Sequence, residues 1–183
     1  MRFLNFPVSV IGFACLLVFT NLACKPKKKI IKSPPGYNFS QALAHKLDLK
    51  WDRERDEFLA HYDEAGKLFI LDKETKQIKP GGEYIFGAKG DYEDIALYKG
   101  VPYILRSDGM ITKIIRDSAG GVRGVEAGKI GISGSNDFET MYADTSRKAL
   151  ILICKNCAMD NKATISAFAF YPDSLGFIND PVF

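Results

Sequence analysis

The sequence predicts an all-β chain, a partial β-propeller of about three blades, placed behind an N-terminal export segment. Three observations predict it. An Asp-aromatic-Glu head occurs twice, as Asp91-Tyr92-Glu93 and Asp137-Phe138-Glu139. Each head opens a short strand that a polar break separates from a second, apolar strand. Glu93 and Glu139 stand about 46 residues apart, and the loop aspartates Asp63 and Asp108 about 45, a period typical of propeller blades. Between these markers, short apolar runs alternate with Gly- and Asp-containing turns at hairpin spacing.

The N-terminus is read first and set apart from the fold. Arg2 is the only early charge, and Phe6 to Leu22 is almost wholly apolar. The run is short for a spanning helix and fits a signal-peptide core. It ends in Leu22-Ala23-Cys24, which resembles the bacterial lipobox, with Asn21 where an aliphatic residue is usual. That resemblance implies a signal peptide over residues 1–23, lipidation of Cys24 and anchoring to a membrane. An uncleaved signal anchor and plain secretion are the alternatives. Residues 24–36 read as a tether: Lys25, Lys27, Lys28, Lys29 and Lys32, then Ser33-Pro34-Pro35-Gly36, a stiff and extended composition. The net charge of +3 owes most of its excess to this run. A nucleic-acid binder would spread basic residues over a folded face, so nucleic acid is set aside as a partner.

Residues 37–183 are read as an incomplete propeller domain. Tyr37 to Leu49 fits either a short helix or a poorly patterned strand. Trp51 to Asp56 is dense in charge and reads as a turn. Glu57 to His61 then meets Lys67 to Leu71 through Asp63-Glu64-Ala65-Gly66. Tyr103 to Arg106 meets Met110 to Ile114 through Ser107-Asp108-Gly109. Leu150 to Ile153 meets Thr164 to Phe170 through a longer loop holding Cys154 and Cys157. Gly81-Gly82 and Gly120-Gly121 read as turns between strands. Blades are drawn at about Trp51–Gly87, Asp91–Ile132 and Asp137–Phe170. The inner strand of the first is missing, because nothing in Leu47 to Lys50 resembles the repeated head. Phe177 to Phe183 looks like the start of a further element. Three blades cannot close a ring, and open blade faces need neighbours. The expectation is a fragment of a longer protein, or else a chain that completes its ring with another copy.

With these residues in place, the chain is similar to the SdiA-regulated family. The similarity rests on Gly90 to Ala96, Leu105 to Gly109 and Phe138 to Asp144. The hairpin at Asp63 to Phe69 and Cys154-Lys155-Asn156-Cys157 fit its lipoprotein branch. The resemblance spans roughly Trp51 to Phe170. It implies a five- or six-bladed propeller in a bacterial envelope protein, membrane association and a Ca²⁺ site. It implies no defined activity. The strand expected before Trp51 and the later blades depart from it.

Five carboxylates are the candidate metal ligands. Equivalent positions on inner strands converge in a propeller, so Glu93 and Glu139 should meet, with Asp91, Asp94 and Asp137 on the same rim. Carboxylates forced together repel unless a cation lies between them, and Ca²⁺ accepts several oxygens in flexible geometry. The competing reading is that these acids cap strand starts or accept backbone N–H bonds in turns. Cys154 and Cys157 form a single CxxC without a second pair or nearby histidines for zinc. A local disulfide or a structural thiol pair is expected in an exported protein. His45 and His61 have no partner at a telling spacing. The function expected is a membrane-anchored binding module for an unidentified protein or small-molecule ligand. Its rivals are a Ca²⁺-dependent hydrolase of phosphate or lactone esters and a truncated product without function. The hydrolase would need a histidine or lysine converging with Glu93 and Glu139, and the sequence shows none.

Overall fold

Three runs of four strands follow one another along the chain. The structure, a computed structural model, describes residues 47–161 and 163–182. The signal segment, the tether, Cys24 and His45 lie outside the described residues. The first sheet holds β1 (Leu47–Asp52), β2 (Glu57–Tyr62), β3 (Ala65–Asp72) and β4 (Ile78–Lys89). The second holds β5 (Tyr92–Tyr98), β6 (Val101–Arg106), β7 (Met110–Arg116) and β8 (Val122–Lys129). The third holds β9 (Asn136–Asp144), β10 (Ala149–Cys157), β11 (Ala167–Tyr171) and β12 (Gly176–Ile178). Each sheet is an antiparallel meander in chain order, and no helix occurs among the described residues. These are propeller blades: β5 lies between β1 and β9, and the outermost strands β4 and β12 both approach β8.

The middle blade is held on both faces because its strands alternate two apolar sets. One set, Tyr92, Ile95, Ile104 and Ile114, packs on Leu59, Leu68, Ile70 and Phe86 of the first blade. The other, Ala96, Tyr98, Tyr103, Leu105 and Ile111, packs on Phe138, Met141, Leu150, Leu152, Phe168 and Phe170 of the third. Phe138 and Phe168 meet edge-on with ring centroids 5.8 Å apart. Each such buried side chain contributes about 1.5–3 kcal/mol, so these two seams hold the blades in order. The turn Ser107-Asp108-Gly109 depends on its glycine. Gly109 has φ +79°, and a Cβ there would lie 2.4 Å from Ile130 Cγ2.

Several expectations are corrected. The inner strand of the first blade is present: β1 pairs with β2 in unbroken register from Leu47↔Tyr62 to Asp52↔Glu57. It lacks the Asp-aromatic-Glu head, which is why the repeat did not reveal it. Trp51 and Asp52 therefore belong to a strand, and the turn begins at Arg53. The loop of the first hairpin is only Asp63-Glu64, since Ala65 and Gly66 already lie on β3. Gly81 and Gly82 lie inside β4, where the pairing with β3 is broken, rather than between strands. Cys154 and Cys157 lie on β10 instead of in the following loop. The segment after Gly176 supplies β12, the fourth strand of the third blade, instead of beginning a new element.

The same turn ends the inner strand of the first and of the third blade. Asp52 Oδ1 accepts the N–H groups of Glu54 and Arg55, and its Oδ2 pairs with Arg55 Nη1 at 3.1 Å. Asp144 repeats this with Ser146, Arg147 and Arg147 Nη1 at 2.8 Å. An aspartate side chain that closes its own turn by accepting backbone N–H bonds ends an inner strand in both blades. This Asp-x-x-Arg figure identifies β1 where the head does not.

Candidate functional site

Both glutamates of the repeated head are bulge residues. Along β5, Tyr92 pairs with Arg106 and Asp94 with the adjacent Leu105, which leaves Glu93 as the extra residue. Along β9, Thr140 pairs with Ile153 and Phe138 with the adjacent Cys154, so Glu139 is the extra residue. On β10, Cys154 pairs with Phe138 and Asn156 with Asp137, which makes Lys155 a third. A bulge adds one residue to a strand and re-aims its side chain. Here the aromatic neighbours Tyr92 and Phe138 stay in the core at 5% and 0% exposure, while the charged residues leave it.

The three bulges converge. Carboxylate oxygens of Glu93, Asp137 and Glu139 lie within 4.8 Å of one another. Lys155 Nζ donates to Glu139 Oε1 and stands 3.8 Å from Asp137 Oδ2. Asn156 Nδ2 donates to Asp137 Oδ2 at 3.3 Å. Burial pushes the Glu93 carboxyl up to about 7, helped by repulsion from Asp91 and Glu139, a hydrogen bond to Asp91 and repulsion from Asp137. The hydrogen bond to Glu139 raises Lys155 above the usual lysine range.

Of the five predicted ligands, the cluster gathers Glu93, Glu139 and Asp137, with Asp91 beside Glu93. Asp94 is spent elsewhere. Its Oδ1 accepts the Ile95 N–H at 2.7 Å and its Oδ2 accepts the Met141 N–H at 2.7 Å. That carboxylate joins the inner strands of two blades, which is the backbone-bonding role weighed against a metal. Cys154 and Cys157 are joined in a disulfide. They lie near Asp160, but a disulfide offers no thiolate to a metal. Asp160 is also engaged, accepting hydrogen bonds from the Ser166 N–H and hydroxyl. His61 is buried on β2, on a different blade from the cluster.

Lys155 corrects the reading that no lysine converges with Glu93 and Glu139. It lies inside the CxxC, between Cys154 and Cys157. The signal that could have found it is its place on the strand paired with the second head.

The donor set suits a hard cation. Oxygens on opposite sides of a Ca²⁺ ion are separated by up to about 5 Å, given Ca–O distances of about 2.3–2.6 Å. Three carboxylates within 4.8 Å meet that limit. Ca²⁺ would compete with two incumbents, the ammonium of Lys155 and the proton that Glu93 retains near neutrality.

No family model matches the chain, and no curated protein matches it. Among solved structures it is similar to the β-propeller domain of Cps50 (Swd1) from Myceliophteria thermophila, with a TM-score of 0.50 and 11% identity. The match covers 71% of this chain and 41% of that one, so the chain spans about two fifths of the structure it resembles. At this identity the likeness shows the β-propeller fold alone.

Glu93 sets a pH dependence. Its folded-state pKa is raised, so the folded protein binds this proton more tightly than the unfolded chain does. Stability should then fall as pH rises from about 4.5 to about 7 and stay level above. Glu93→Gln should remove that component. At pH 8 the variant should be more stable than the parent by about 1–2 kcal/mol, after discounting for solvent screening. Urea unfolding of both proteins at pH 5 and 8 measures it, and an equal pH slope in the two would refute the assignment.

Proposed function

We propose that the chain is a membrane-tethered interaction module of the bacterial cell envelope, built on β-propeller blades, with Ca²⁺ stabilising its acidic rim. The blades support the interaction role. The lipobox-like Leu22-Ala23-Cys24 supports the tether, and the repeated heads support kinship with the SdiA-regulated family. The observation that carries the metal reading is the convergence of Glu93, Asp137 and Glu139 from two bulged strands. These three residues would hold the ion, with Asp91 beside them and Lys155 displaced. The bound ion would supply charge neutralisation and a crosslink between the second and third blades. The ligand is a protein or a small molecule.

Millimolar Ca²⁺ should raise the melting temperature by about 5–11 °C, the shift that a ligand near 100-fold its Kd gives a domain of this size. The shift should be larger at pH 8 than at pH 6, since binding needs Glu93 ionised. Glu93→Ala and Glu139→Ala should each abolish it. No shift in either buffer would sink the metal reading.

For the tether, Cys24→Ser should move the protein from the membrane fraction to the soluble periplasmic or secreted fraction. Unchanged membrane retention would favour an uncleaved anchor.

A second reading, a Ca²⁺-dependent hydrolase of phosphate or lactone esters, is favoured by one observation: a lysine lies beside carboxylates, one of which keeps its proton near neutrality. In that role Glu93 would take a proton from the attacking water and Lys155 would stabilise the anion formed. Turnover of p-nitrophenyl phosphate or a γ-lactone should then rise with pH through about 7 and fall at least 100-fold in Glu93→Gln. Turnover at background in the Ca²⁺-loaded parent would reject it.

A further inference from the structure

A second charged site lies at the opposite ends of the same strands. The β5–β6 turn, Lys99-Gly100, faces the β1–β2 turn, and Arg55 Nη1 donates to Gly100 O at 3.0 Å across the gap. Beside this contact is a groove of about 250 Å³ between the first and second blades. Three cations line it, Arg55, Lys113 and Arg116, together with the apolar walls of Val101, Pro102 and Ile114. Among the described residues, no carboxylate lines it. The nearby acids are engaged at its margins. Asp52 closes its own turn and pairs with Arg55, Glu57 holds Lys79 and Arg116, and the Glu54 carboxylate lies against Gly100.

Arg116 is the informative residue. Glu57 Oε1 accepts from its Nη1 at 2.5 Å, which fixes the guanidinium. The other edge, Nε and Nη2, is buried and has no hydrogen-bond partner among the described residues. Those two donors lie side by side on the rigid guanidinium plane, and that fork matches the two oxygens of a carboxylate or phosphate. Buried donors without acceptors are destabilising, so the fold carries an unmet demand for an acceptor here.

We propose that this groove binds a small organic oxyanion, a carboxylate or phosphate group on a short apolar body. The anionic group takes the Nε/Nη2 edge of Arg116, with Lys113 and Arg55 adding charge. The apolar body lies on Val101, Pro102 and Ile114. The Arg116 edge is closed to solvent without ligand, so binding requires a side-chain shift at the groove wall. The volume is at or below the low end for ligand pockets, which restricts the occupant to a small molecule. This proposal is independent of the metal reading, since it uses none of the same residues.

The test is titration of the full chain with sodium butyrate and with inorganic phosphate, at constant ionic strength set by chloride. It is read by amide chemical shifts and melting temperature. Saturable shifts confined to Gly100–Pro102 and Lys113–Arg116, with millimolar affinity, are expected. Butyrate tighter than phosphate assigns the carboxylate and apolar body, and the reverse order assigns the phosphate group. Arg116→Lys keeps the charge but loses the fork, and should weaken binding at least 10-fold. Lys113→Gln, on a half-buried side chain that carries no fold contact used above, should weaken it about 3-fold and serves if Arg116→Lys misfolds. Non-saturating shifts, shifts away from the groove, or equal affinity in the folded variants would overturn the proposal.

Discussion

The carboxylate of Asp94 is the interaction on which the acidic rim depends. One oxygen accepts the N–H that follows it on β5, and the other accepts the Met141 N–H on β9. Adjacent blades of a propeller share no sheet, so nothing in the backbone ladder sets how one inner strand sits against the next. Hydrogen bonds to a charged acceptor contribute about 1.5–3 kcal/mol each and are directional, which apolar packing is not. Ser107 adds a second tie. Its N–H donates to Asp91 O at 2.9 Å and its C=O accepts from Phe138 N at 2.8 Å, so one turn holds the start of both heads. Glu93 and Glu139 meet because these two ties fix the strands that carry them.

The bulges then resolve a conflict in the sequence. In a regular strand side chains alternate faces, and both faces of the middle blade are buried. An Asp-aromatic-Glu run in such a strand would drive carboxylates into the apolar face opposite the aromatic ring. Inserting one unpaired residue lets the aromatic ring stay in the core and sends the glutamate to the rim. The gathered negative charge is compensated by the third bulge, which delivers Lys155, and by the proton retained on Glu93. The disulfide between Cys154 and Cys157 spans the two residues, Lys155 and Asn156, that bond to the acids. It therefore closes a short ring around the segment that completes the cluster.

The repeat was legible in the sequence because hairpins and turn residues recur with the blade. The meeting of Glu93 and Glu139 followed from equal positions in that repeat. The strand β1 was not legible from the head, because the first blade has a regular, unbulged inner strand with no rim glutamate. The turn Asp52 to Arg55 matches Asp144 to Arg147, but in the sequence it read only as a charge-dense turn, and the match emerged from the hydrogen bonds. The bulges themselves left no mark, since a one-residue insertion differs from ordinary sequence only in who pairs with whom. Asp94 was misplaced for a related reason. Its neighbour Glu93 and it are both acids, and only the register tells which one leaves the sheet.

The acidic rim and the basic groove sit at opposite ends of β5. Glu93 lies at its start and Gly100 just past its end, a span of about 20 Å at about 3.3 Å per residue. Charges separated by more than twice the Debye length of about 8 Å are largely screened at physiological salt. The two sites can therefore carry opposite potentials on one small domain without cancelling, and each is free to take its own ion. What joins them is mechanical. β5 bears the Glu93 bulge at one end and the Gly100 turn at the other, and its middle residues, Ile95 and Ala96, are fully enclosed by the two neighbouring blades.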